Sequence, residues 1–158
     1  MAKSGDKCHT NTMLIGQYHS KVSVKGRIAF PKKFREEMGD KLVVTMGYEG
    51  SLLMVPVEGW KALIEGTENK PFIFGSARDT NRFLLGGASE VELDAQGRFV
   101  VPPYLREYAK IGGEIVFLGL NKYVEVWDKQ RWLEHQKYLG EHIGEIAEKL
   151  GEIDIKQK

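Results

Sequence analysis

Between Ser20 and Arg35 the chain carries six basic residues, Lys21, Lys25, Arg27, Lys32, Lys33 and Arg35, and no acidic one. Cations gathered on a short segment without compensating acids suit the binding of a polyanion. The sharpest pattern within the run is Lys25-Gly26-Arg27. Arginine offers a planar fork that fits a phosphate or the acceptor edge of a guanine. Lysine adds a mobile cation that displaces condensed counterions. Glycine removes the side chain that would hold the backbone away from a phosphate. A solvated surface is the competing account, and charge alone does not exclude it. Further along, Asp94 and Arg98 bracket a second turn, where a structural bridge across the turn is expected rather than a binding site.

Other chemistry finds little support. There is no glycine-rich phosphate loop followed by Lys-Ser/Thr, no Gly-x-Ser-x-Gly elbow and no cysteine pair. His135 and His142 stand near Glu134, Glu141 and Glu145, but they are seven residues apart. Metal-binding histidines on one helix sit three or four apart, so a solvated face is expected. His19 is assigned a surface or packing role, and His9 beside Cys8 lacks further ligands. No catalysis, metal or cofactor is expected. Trp60, Trp127 and Trp132 fall on apolar faces away from the basic turn and are taken as core anchors, not base-stacking platforms.

The composition of the 158 residues sets the frame: 42% hydrophobic and 28% charged, as in a soluble globular domain. With 23 basic and 22 acidic residues, net charge gives no reason to expect nucleic acid, so the case rests on the local cluster. The single Cys8 forms no internal disulfide and fits a reducing, cytoplasmic setting. No apolar run approaches the roughly 18 residues of a membrane span, and no membrane partner is expected. Residues 1–12 are polar, lack the apolar centre of a secretory signal, and read as a tail.

The elements that must position the basic turn come in duplicate. Lys25-Gly-Arg-Ile-Ala-Phe-Pro-Lys-Lys-Phe-Arg-Glu-Glu-Met38 lies on Gln96-Gly-Arg-Phe-Val-Val-Pro-Pro-Tyr-Leu-Arg-Glu-Tyr-Ala109 without a gap. Gly26, Arg27, Pro31, Arg35 and Glu36 recur as Gly97, Arg98, Pro102, Arg106 and Glu107. Leu14 and Gly16 fall on Leu85 and Gly87, and Trp60 parallels Trp132 after a small insertion. Ordered agreement of this length marks a tandem duplication. The two copies differ in charge: the second has Glu92 and Asp94 against Arg98 and Arg106 and is balanced where the first is cationic.

Each copy predicts an extended segment (Met13 to Val24, Phe83 to Leu93), a glycine turn, a short strand, and a helix opened by proline, about 31–38 and 102–110. Two hairpin strands follow, 41–47 with 51–57 and 114–119 with 122–127. Asn69-Lys-Pro71 reads as a cap before a helix to about Leu85, and 128–150 as a longer helix carrying Leu133, Leu139, Ile143, Ile146 and Leu150. Gly151 to Lys158 reads as frayed. The domain expectation is a tail at 1–12, a first repeat at 13–60, a helical linker at 61–82, a second repeat at 83–128, and a C-terminal helix and tail at 129–158. About 50 residues of short strands bury too little apolar area to offset their ordering entropy. The expected fold is therefore α+β, mainly β, with two β-α-β-β repeats intertwined into one barrel-like domain with flanking helices.

These residues resemble the MraZ family of bacterial transcription regulators, whose domains are of the SpoVT/AbrB-like swapped-hairpin class. The resemblance spans about residues 13–135. It is carried by Phe83-Leu-Leu-Gly-Gly-Ala-Ser89, Asp94-Ala-Gln-Gly-Arg98 and Asn121-Lys-Tyr-Val-Glu-Val-Trp-Asp128, with Lys25-Gly-Arg27 and Leu52-Leu-Met-Val-Pro-Val-Glu-Gly-Trp60. It implies a cytoplasmic, nucleoid-associated repressor or tuner of the division and cell-wall gene cluster. It also implies ring-like homo-oligomers that bind double-stranded DNA at repeated promoter boxes. The DNA-contacting turn maps onto Lys25, Gly26 and Arg27, with Arg98 as the counterpart in the second copy; Lys21 and Lys32 join them on charge alone. One departure stands out: Ser23 occupies the place where the family's first turn has Asp. Either the turn is looser for it, or Ser23 accepts a backbone hydrogen bond instead. The alternative function is a protein-interaction module of the toxin-neutralising antitoxin type, which related swapped-hairpin domains serve.

Overall fold

The computed structural model describes residues 13–68 and 73–157. The expected N-terminal tail, with Cys8 and His9, and the Asn69-Lys-Pro71 cap lie outside the described residues. Two compact units divide the chain, residues 1–128 and 129–158.

The first unit opens with β1 (Leu14–Lys21), the short β2 (Arg27–Ala29) and helix α1 (Lys32–Met38). The hairpin strands β3 (Lys41–Met46) and β4 (Leu52–Pro56) follow, and then α2 (Val57–Glu68) and α3 (Gly75–Leu84). The second repeat supplies β5 (Ser89–Glu92), β6 (Arg98–Val100), α4 (Pro103–Tyr108), β7 (Glu114–Asn121) and β8 (Val124–Asp128). Pro31 and Pro102 precede the two short helices in extended conformation, ending each strand and pre-setting the helical turn.

The strands pair across the repeats. β1 runs antiparallel to β7 along its whole length, from Leu14 opposite Asn121 to Lys21 opposite Glu114. β5 in turn pairs with β3, Lys41 opposite Glu92. The six-stranded sheet has the order β1-β7-β8-β4-β3-β5, so each repeat's first strand lies beside the other repeat's hairpin. β2 and β6 form a separate two-stranded ribbon centred on the equivalent residues Ile28 and Phe99. The arrangement has a pseudo-twofold axis, and the intertwining expected from burial is what the register shows. The sheet itself is open, with β1 and β5 as its edges.

One core serves both repeats. Phe34 of α1 and Leu105 of α4 are equivalent residues, 1% and 0% exposed, in the same cluster as Ile28, Phe99, Leu42 and Ile115. Phe30 meets Phe117 edge-on at 5.3 Å and Phe99 at 6.1 Å between centroids, a geometry that aligns ring edges with ring faces. Neither repeat could keep these contacts alone.

The repeats diverge at their first strands. The extended segment expected from Phe83 is instead the last turn of α3, and the strand begins only at Ser89. Phe83 follows a helical period from Ala77 and Thr80, and Thr45 Oγ1 donates a buried hydrogen bond of 2.6 Å to the Leu84 carbonyl, which holds that end. Trp127 is buried with its indole N–H donating to Glu125 Oε1 at 3.0 Å, while Trp60 is only half-buried. In the second unit, α5 runs from Lys129 to Gln157, past the point where Gly151 was expected to end it. One helical glycine costs only about 1 kcal/mol, which flanking helix formers such as Glu152 offset.

Candidate nucleic-acid interface

Both glycine turns close with the same backbone bonds. Ser23 donates its N–H to the Arg27 carbonyl at 2.9 Å and accepts from Gly26 at 2.8 Å; Asp94 does the same with Arg98 and Gly97, both at 2.9 Å. Gly26 and Gly97 sit at φ 80° and 79°, in the left-handed region that side chains resist. Each glycine also has the other repeat's arginine over it. Arg35 Nη1 lies 3.0 Å from where a Cβ on Gly97 would stand, and Arg106 Nη1 lies 3.7 Å from the same point on Gly26. The backbone thus calls for glycine at both positions, and close packing adds to that only at Gly97.

Side chains separate the two turns. In the second, Asp94 Oδ1 accepts from the amides of Gln96 and Arg98, both at 2.9 Å, and Oδ2 accepts from Arg98 Nε at 3.1 Å. Arg98 Nη2 donates to Gln96 Oε1 at 2.6 Å, so its guanidinium is held on two sides. The Arg98 amide, working against partial desolvation and aided by the Gln96 amide and the Arg98 charge, holds the Asp94 carboxyl below its ordinary value. In the first turn, among the described residues, Ser23 Oγ accepts only from the Arg27 amide, at 3.0 Å. Among the described residues the side chains of Lys25 and Arg27 have no hydrogen-bond or ion-pair partner, and both are exposed. Ser23 takes over one backbone bond of the absent Asp and leaves the Arg27 guanidinium without a partner among the described residues.

The β2–β6 register places Arg27 opposite Val100 and Ala29 opposite Arg98. With Ile28 and Phe99 turned into the core, Arg27 and Arg98 share the ribbon's outer face, set diagonally. Lys21, at the end of β1, and Lys32, at the start of α1, are exposed. The basic run is shorter than its sequence suggests. Arg35 Nε binds Asp40 Oδ1 at 2.8 Å, and Arg35 Nη2 reaches the Asp94 carbonyl at 3.4 Å. That arginine belongs to the packing. Asp40 lies just past Gly39, outside a window ending at Arg35, and an i, i+5 ion pair across a helix end has no simple periodic signature.

On α5 the rings of Trp132, His135, Tyr138 and His142 form a ladder with successive centroids 6.3, 5.8 and 4.3 Å apart. Both histidines are half-buried members of this stack rather than plainly solvated. Among the described residues no group of three or more His, Cys, Asp or Glu side chains is placed to hold a metal ion, and no helix is long and apolar enough to cross a membrane.

Comparison with known proteins agrees with the duplication. The family model for MraZ protein, described as antitoxin-like, matches twice in tandem, over residues 13–83 and 84–149. The protein called transcriptional regulator MraZ from Moorella thermoacetica is 39% identical over 143 residues, which is 90% of this chain and all of that relative. Proteins of the same name from Caldanaerobacter subterraneus subsp. tengcongensis and Clostridium acetobutylicum are each 41% identical over the same shares. Two family matches in tandem and full-length relatives at this identity place the chain in the MraZ family.

Proposed function

We propose that this protein is a sequence-specific DNA-binding transcriptional regulator. In this reading it binds repeated promoter boxes as a homo-oligomer and represses the division and cell-wall gene cluster. The observation that carries it is the contrast between the two turns: Lys25 and Arg27 stand exposed on a hairpin turn with no partner among the described residues, whereas Asp94 and Gln96 hold Arg98. An arginine that loses no internal bond on reaching a base or phosphate binds at the smallest cost. Relatives named transcriptional regulators support the reading. Lys21 and Lys32 add cations to the same segment, and Arg98 is the weaker contact.

One such turn engages few phosphates. Several turns on one assembly, matched to repeated boxes, bind at high effective concentration. For assembly, α5 offers Leu139, Ile143, Ile146, Leu150 and Ile153 in alternating steps of four and three, with Ile143, Leu150 and Ile153 exposed. That heptad pattern pairs with a like helix from a second copy.

The test is fluorescence anisotropy with a labelled duplex from upstream of the protein's own gene, beside a scrambled duplex, at two salt concentrations. Salt-sensitive binding that prefers the native duplex is expected, with Arg27→Ala losing most of it and Arg98→Ala less. Equal losses from the two substitutions would contradict the asymmetry. The antitoxin-like description of the family favours a second reading, a protein-interaction module; no preference for the native duplex at either salt would support it.

A further inference from the structure

The ends of the two equivalent short helices differ at the residue that takes a positive φ. After α1 the chain turns at Gly39, with φ 83°; at the same point after α4 it turns at Lys110, with φ 53°. The α4 end is tightly specified: Ala109, Lys110 and Ile111 donate their amides to the carbonyls of Leu105, Glu107 and Arg106 at 3.0 to 3.1 Å. A left-handed residue here suits glycine, as the first repeat has it, and strains a lysine. A lysine does gain from the negative end of a helix, but that gain is small at an exposed end and would be had elsewhere in the last turn without strain. The lysine's placement therefore asks for a reason beyond the fold.

Its surroundings supply one. Lys110 lines a cleft with Lys25, Gly26, Val100, Arg106 and Glu107, so it stands across from the candidate DNA-contacting turn. Three cations face one carboxylate there. The ammonium groups of Lys25 and Lys110 have no partner among the described residues, whereas Arg106 spends its guanidinium on the carbonyls of Ile111 and Gly112. Val100, half exposed on the outer face of the ribbon, borders the same cleft.

We propose that Lys110 is a DNA-phosphate contact, which holds the backbone over this cleft together with Lys25 while Arg27 engages the adjoining groove. This rests on the DNA-binding reading above. It means that the second repeat reaches DNA chiefly from the end of its helix, beside the turn of the first repeat, and only weakly through its own pinned Arg98.

The test uses the full chain in three variants, Lys110→Gly, Lys110→Arg and Arg27→Ala, with affinity for the native duplex measured across a salt series and a thermal melt of each. Lys110→Gly relieves the strained turn, so its Tm should rise. Its affinity should fall at least about three- to tenfold, and its log–log salt slope should become shallower by about 0.9 for each protomer engaged, the loss of one phosphate contact apiece. Lys110→Arg should bind like the parent, because it keeps the charge. If Lys110→Gly keeps the parental affinity and slope while Arg27→Ala loses binding, the proposal is overturned and the DNA reading stands. If the parent itself shows no salt-sensitive preference for the native duplex, both fall.

Discussion

Ser23 Oγ accepts the amide hydrogen of Arg27 at 3.0 Å, across a turn that its counterpart closes with Asp94. A neutral hydroxyl accepts the one amide and brings no charge to pair with a guanidinium, whereas the Asp94 carboxylate accepts both the Arg98 amide and its Nε. Ser23→Asp should convert the first turn into a copy of the second, with the new carboxylate pairing with Arg27. An exposed ion pair is worth about 0.2–1 kcal/mol, so competition from it should weaken DNA binding by up to about fivefold. Removing the fork with Arg27→Ala should cost about 1–3 kcal/mol, about five- to 150-fold. Anisotropy titrations should rank the parent above Ser23→Asp and Ser23→Asp above Arg27→Ala. Parental affinity in Ser23→Asp would mean that the missing Asp has no part in recognition.

Alanine at the two turn glycines should not be equally harmful. Both positions impose a left-handed backbone, which costs a residue with a Cβ about 1–2 kcal/mol. At Gly97 the added carbon would also stand 3.0 Å from Arg35 Nη1 and push it from the Asp94 carbonyl, whereas Arg106 is 3.7 Å away at Gly26. Urea unfolding should therefore give Gly97→Ala the lower midpoint. An equal or larger loss in Gly26→Ala would show that the Arg35 contact contributes nothing.

The exchange of strands predicts that neither repeat folds alone. β1 has its partner in β7 and β5 in β3, and Phe30 packs on Phe99 and Phe117. A fragment ending at Leu84 should lack cooperative unfolding, and mixing it with the remaining chain should restore the parental circular dichroism. A fragment that melts cooperatively by itself would refute the shared core.

How much of this was legible in the sequence follows from the range of each interaction. The duplication is a local identity, and the burial argument from it requires two copies to share a core. It does not say which strands exchange, because the alternation in β1 would suit pairing within its own repeat as well as with β7. The equivalence of Leu14 and Gly16 with Leu85 and Gly87 has the same offset as the two tandem family matches, but it carries no conformation: Phe83 and Leu84 complete α3 where the first copy is already extended. The basic turn was visible as residue types in a row. The pairing of Arg35 with Asp40 and its reach to Asp94 depend on a helix end and on the other repeat, which no single window contains.

The apolar stripe of α5 predicts how copies associate. Ile143 and Leu150 are 59% and 61% exposed, so replacing both with Glu should leave the fold of residues 13–128 intact. Native mass spectrometry at micromolar concentration should then shift from an oligomer toward monomer, and DNA affinity should fall through lost multivalency. An unchanged mass distribution would assign assembly to another surface.

Acid should loosen the second turn and spare the first. Asp94 titrates below its ordinary value in the folded chain, chiefly because its carboxylate accepts the Arg98 amide. A lowered folded pKa means that the ionised clamp adds stability at every pH above the unfolded value, about 3.9, and that this is lost as pH falls through the folded value. Ser23 has no such titration. Hydrogen-exchange protection factors of the Gln96 and Arg98 amides, which Asp94 Oδ1 accepts, should be steady from pH 7 to about 5 and fall below about pH 4. The Arg27 amide, bound to Ser23 Oγ, should keep its protection over the same range. Parallel loss at Arg27 and Arg98 would point to global acid unfolding, while steady protection at Arg98 would show that the neutral carboxyl holds the turn as well as the ionised one.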